Sequence, residues 1–160
     1  MRNNLMKVPI ISLITGVILT IADYTLGYFI AQGSSEWTLE MNDTVNYTTL
    51  CLSIILFIST GFLFLRNTLK KDILKSATFV VVYNIILIVL EQAILYFGTY
   101  SITIHYLFIP LRMYGTITQV LMSATDTITS IWISILPAII APYLYVIFGK
   151  RYKDISIPKV

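Results

Sequence analysis

Charge is scarce in this sequence. Asp, Glu, Lys and Arg make up 12% of its 160 residues, against about 25% in soluble domains. Cysteine is scarcer still. Cys51 stands alone inside an apolar run, which excludes an internal disulfide and a cysteine-built metal site. His105 is the single histidine, so no familiar histidine metal site can form either, and it reads as an interfacial polar residue. The sequence contains no GxxxxGK[ST] phosphate loop, no HExxH and no GxSxG. It has no internal repeat and no low-complexity segment. These absences point away from an enzyme and leave no residue set for a cofactor or metal.

What fills the space is apolar: 57% of the residues are hydrophobic. A hydrocarbon core of about 30 Å takes about 20 helical residues to cross. The apolar tracts run over about 8–31, 47–65 and 76–98. A fourth, clearest over 130–148, has its helix starting near Ile117. The expected fold is therefore an all-α integral membrane protein, a four-transmembrane-helix bundle forming one membrane domain over 1–160. Residues of about 99–116 are expected to form an interfacial or re-entrant segment on the outer side.

Lysine and arginine set the expected orientation. Arg2 and Lys7 precede the first tract. Arg66, Lys70, Lys71 and Lys75 fill the second loop, and Lys150, Arg151, Lys153 and Lys159 follow the last tract. Only Arg112 falls on the other side, while the first loop carries Glu36, Glu40 and Asp43. The positive-inside rule then places both termini in the cytoplasm, in a multi-pass protein of the cell membrane. The same placement assigns the basic excess to membrane orientation, not to a nucleic-acid partner.

Two alternative readings are weaker. Residues 103–123 are apolar enough to form a fifth span, but this would put Lys150–Lys159 outside and leave Arg112 unpaired in the bilayer. A signal peptide cleaved after Ala22 would need a polar stretch there. The apolar run instead continues through Tyr24–Ile30, which favours an uncleaved helix.

Ionisable residues inside a membrane are costly and mark functional positions. Asp23, Glu91 and Asp126 are the three acids in this position. Asp23 follows Lys7 by sixteen residues, and Glu91 follows Lys75 by sixteen. Both therefore lie roughly 24 Å beyond an inner-face lysine, at one level. Asp126 falls near the outer interface.

Each acid sits on a stripe of small and polar residues: Ser12, Gly16, Thr20, Asp23 and Gly27; then Ala77, Asn84, Glu91 and Gly98; then Gln119, Ser123, Asp126 and Ser130. Such stripes let helices approach closely and bond across their interface. They read either as packing seams with structural acids or as the wall of a polar cavity. In the second reading Asp23 and Glu91 share a proton or hold a cation. Arg112 is either a partner for one of the three acids or an interfacial side chain reaching the headgroups. Pro137 and Pro142 should bend the fourth helix.

Three functions follow in order. The first is a transport protein, or a binder of a cation or small polar ligand, with an outward-facing site of Asp23, Glu91, Asp126, Asn84 and Arg112. The second is a non-catalytic accessory subunit of a larger membrane complex or homo-oligomer. The third is an intramembrane enzyme built on paired aspartates, although the surrounding residues match no intramembrane protease pattern.

Overall fold

The computed structural model describes residues 4–34, 36–98, 102–124 and 131–151. Its elements are helical throughout these segments. Helix α1 covers Lys7–Ala31. Helix α2 covers Leu39–Thr60 and continues as a π-helical turn over Gly61–Leu65. Helix α3 covers Lys70–Tyr96. Short α4 (Ile102–Leu107) leads through a 3-10 turn, Ile109–Leu111, into α5 (Arg112–Ala124). Helix α6 (Ile131–Ile140) continues as a 3-10 helix over Ala141–Phe148.

Among the described residues, three helices are long and apolar enough to cross a membrane: Lys7–Ala31, Leu39–Leu65 and Lys70–Tyr96. Ile135–Phe148 is a shorter apolar helix. On α1 and α3 the buried face mixes small and polar residues with apolar ones such as Leu19 and Leu87, while the outward face is apolar. On α1, Ser12, Thr15 and Gly16 are buried while Leu13, Ile14, Val17 and Ile18 are exposed. On α3, Ser76, Ala77 and Asn84 are buried while Phe79, Val82, Ile85 and Ile86 are exposed. Small and hydroxyl side chains admitted to the interior, with an outer face of branched apolar chains, is the pattern expected when hydrocarbon is the solvent. These features mark a multi-pass membrane protein.

Helix ends extend beyond the apolar tracts. The second helix starts at Leu39, ahead of the tract at 47, because Thr38 caps it by accepting from Met41 N at 3.2 Å and Glu40 favours its first turn. The third starts at Lys70, ahead of 76, where Lys70 N donates to the Lys150 carbonyl at 3.1 Å. Gly33 (φ 89°) follows α1 and Gly98 (φ 70°) follows α3. Glycine takes this left-handed conformation after a helix without a Cβ penalty.

The largest departure from the expected fold lies after residue 111. In place of one helix from 117 to 148, the described residues hold two, α5 and α6, with 125–130 between them. Residues 103–123 likewise form no single helix. Pro110 sits at the first positions of the 3-10 turn, where its missing N–H and fixed φ break the α-helical ladder.

The levels of the elements can be read from contacts. Asn4 pairs with Asp72 and Val8 N with Ser76 Oγ, both at an offset of 68 residues. The same offset carried along these two parallel helices brings Glu91 to the level of Asp23. The 3-10 turn sits much lower, against the middle of α1. A Cβ added to Gly16 would overlap the Ile109 carbonyl oxygen, with the carbonyl carbon at 2.8 Å and Pro110 Cα at 3.1 Å. Tyr83 Oη donates to the Leu107 carbonyl at 2.8 Å, which fixes the same depth from α3. Helices α4 and α5 thus form a hairpin that dips to the middle of the bundle and returns.

At the bundle end that holds the cations, Lys7 Nζ donates to Thr68 Oγ1 at 2.8 Å. Lys150 N donates to the Thr68 carbonyl at 2.9 Å. The start of α1, the loop between α2 and α3, and the end of the last 3-10 helix therefore share one end.

Candidate functional site

Arg112 opens α5 at the bottom of the returning arm of the hairpin, and its side chain finds Asp23 of α1. Asp23 Oδ2 accepts from Arg112 Nε at 2.7 Å and also from one terminal guanidinium nitrogen. The other carboxylate oxygen accepts from the Thr49 hydroxyl of α2. The Asp23 side chain is 11% exposed and that of Arg112 27%. One acid thus ties α1, α2 and the hairpin together, and both of its oxygens are engaged. Of the three acids available to Arg112, the structure brings it to Asp23.

A cavity of about 360 Å³ lies between α3, the hairpin and α6. Asn84, Ile88, Glu91 and Leu95 of α3 form one wall, at spacings of four, three and four that put them on one helical face. Leu111, Arg112 and Gly115 form the hairpin side, and Ile135 and Ala138 the α6 side. His105, Thr118 and Gln119 complete the polar lining. Its size falls at the small end of ligand pockets.

Among the described residues, Asn84, Glu91 and His105 of this lining make no side-chain hydrogen bond. Asn84 is 5% exposed and makes no hydrogen bond among the described residues. Every fully buried side-chain nitrogen or oxygen among those residues does have one, so the Asn84 amide keeps its remaining exposure through the cavity. Glu91, half-buried, makes neither a hydrogen bond nor an ion pair among the described residues. The Asn84 amide is thus left accessible to a bound hydrogen-bonding group.

Of the residues singled out from sequence, Asn84, Glu91 and Arg112 line this one cavity. Asp23 shares the level of Glu91 but stands outside the lining, joined to it through Arg112. Asp126 lies outside the described residues. His105, expected at an interface, lines the cavity. Thr49 was not singled out as a partner for Asp23; the signal it gives in the sequence is a hydroxyl within the second apolar tract, on one helical face with Ser53 and Thr60. Ser53 and Thr60 also serve inside the bundle: Thr116 Oγ1 donates to Ser53 Oγ at 3.2 Å, and Thr60 shares a hydrogen bond with Tyr145 Oη at 2.9 Å.

The chain matches no family model, no curated protein and no solved structure. Its function is therefore argued from the site alone.

Proposed function

We propose that this protein is a four-span membrane protein of the cell surface, with both termini in the cytoplasm, that binds and transports a small polar ligand or cation. The observation that carries this reading is the pair of polar groups without a partner among the described residues, Asn84 and Glu91, set on one face of α3 in the wall of an open-sided cavity. A purely structural acid would be expected to have a partner. The acid that is structural, Asp23, has three donors.

Three further points support the reading. The small and polar stripes of α1 and α3 face the interior, whereas an accessory subunit using them to hold a partner would turn them outward. Ten α-helical and eight 3-10 residues in Ile131–Phe148 together reach about 31 Å, because a 3-10 helix rises about 2.0 Å per residue against 1.5 Å. That is long enough for a fourth crossing. The cationic ends of α1, α3 and the last helix also cluster, as an even number of crossings requires.

Orientation is tested by cysteine labelling after Cys51→Ala. Single cysteines at Asn67 and Arg151 are expected to react only in opened cells, and one at Trp37 in intact cells. A cysteine at 151 labelled from outside would exclude the four-span arrangement.

Ligand binding is tested by melting the purified protein against a panel of inorganic cations, amino acids and amines. At least one is expected to raise the melting temperature by on the order of 5 °C. Glu91→Gln and Asn84→Leu are each expected to abolish that rise. Identical behaviour of wild type and both variants across the panel would reduce the cavity to a packing defect.

A further inference from the structure

The geometry points to an organic ammonium as the cavity's ligand, one that carries a hydrogen-bonding group at its far end and an apolar middle. This deepens the binding function proposed above and rests on it. Three features lead to the ammonium. Glu91 is the one carboxylate in the lining among the described residues, and the arginine that shares this lining, Arg112, already has its charge matched by Asp23. The cavity therefore keeps an unmatched negative charge on one wall. A bare metal ion would need several oxygen ligands from the protein, and among the described residues no three His, Cys, Asp or Glu side chains gather for one. The walls between the polar groups are apolar: Ile88, Leu111 and Ile135. They suit carbon rather than a hydrated ion.

The far end of the ligand is set by Asn84. It lies seven residues before Glu91 on the same face, about 10 Å deeper along the helix, with Ile88 between them. A ligand whose ammonium meets Glu91 extends past Ile88 and offers Asn84 a donor or acceptor. An amide accepts and donates, so a hydroxyl, carbonyl or carboxamide serves. The ammonium has two chemical sources, a free amine or the headgroup of an aminophospholipid.

The test uses the full chain in a maltoside detergent, which supplies neither ammonium nor charge. The probe is ε-aminocaproamide, with an ammonium and a carboxamide at opposite ends of a short alkyl chain; hexanamide and hexylamine are the one-ended controls, and sodium chloride is the bare cation. ε-Aminocaproamide is expected to raise the melting temperature, and hexanamide to leave it unchanged. Glu91→Gln is expected to weaken the amine about tenfold or more, the loss of one charge-assisted contact. Asn84→Leu is expected to weaken ε-aminocaproamide but not hexylamine. Gly115→Leu provides a variant that keeps both polar groups: a Cβ there meets nothing within 4 Å, so the leucine fills the cavity and is expected to block all binding.

For the lipid source, nanodiscs with and without phosphatidylethanolamine are compared by native mass spectrometry. Retention of that lipid by wild type and its loss in Glu91→Gln assigns the ammonium to a headgroup. Absence of retained lipid together with amine binding assigns it to a free amine. Equal amine binding by wild type and Glu91→Gln overturns the inference, as does equal binding of hexanamide. Stabilisation by sodium but not by any amine, lost in Glu91→Gln, overturns the ammonium while leaving the cavity's binding function intact.

Discussion

Gly16→Ala is expected to destabilise the protein by roughly 2–3 kcal/mol, although alanine is the better helix former. An added methyl in a tight interior costs about 1–3 kcal/mol or more, and here it would meet backbone. The Ile109 carbonyl oxygen occupies the place of the new Cβ, and no side-chain rotation can relieve that overlap. The hairpin turn must move, carrying Arg112 away from Asp23. Gly27→Ala is the matched control on the same helix, because the nearest atom to its Cβ is one carbon of Trp37 at 3.8 Å. It is expected to be neutral or to gain about 0.5–1 kcal/mol from helix propensity. Melting both variants in one detergent checks this. Equal effects would mean that the turn does not rest on α1.

Removing one partner of the Asp23–Arg112 pair is expected to cost about 3 kcal/mol, because the other charge is left in a poorly solvated site. Asp23→Leu and Arg112→Met should each show this loss, and the double variant should recover most of it. A double-mutant cycle measures the coupling directly, and additive losses would show that the two side chains do not depend on each other. The same variants bear on the cavity. With Asp23 gone, Arg112 is free to neutralise Glu91, with which it shares the lining. Asp23→Leu is therefore expected to weaken ligand binding from outside the cavity, whereas Asp23→Leu combined with Arg112→Met restores it. Restoration in the double variant separates this effect from simple unfolding.

The legible part of the fold was whatever hydrophobicity encodes. The three long helices follow from uninterrupted apolar runs, and the common level of Asp23 and Glu91 follows from two equal spacings to lysine. Helix ends were less legible, since hydropathy reports the tract and not the hydrogen bonds. Leu39–Asn46 is helical because Thr38 caps it and Glu40 favours its first turn, although Glu40, Asn42 and Asp43 keep it outside the apolar tract. The path of 102–124 was legible only as a choice between surface and re-entrant forms. Its depth is set by Gly16 and Tyr83, residues remote in sequence. The partner of Arg112 could not be read because three acids were eligible and only packing decides among them. The cavity itself is formed by three elements distant along the chain. Asn84 stood out as a stripe residue, but its lack of a partner is a property of its surroundings.

The dip of the hairpin also dictates an order of assembly. Its arms, Ile102–Leu107 and Arg112–Ala124, are too short to cross a bilayer alone, and its base brings in a guanidinium. Neither the groove at Gly16 nor the carboxylate at Asp23 belongs to the hairpin; each lies on α1, 89 or more residues before the hairpin residue it meets. A chain made from its N-terminus presents α1 first, so the hairpin arrives where its seat and counter-charge already stand. A circular permutant that begins at α3 would reverse this sequence. It would have to hold the unpaired arginine until α1 emerged, and slow or misrouted insertion is the expected result.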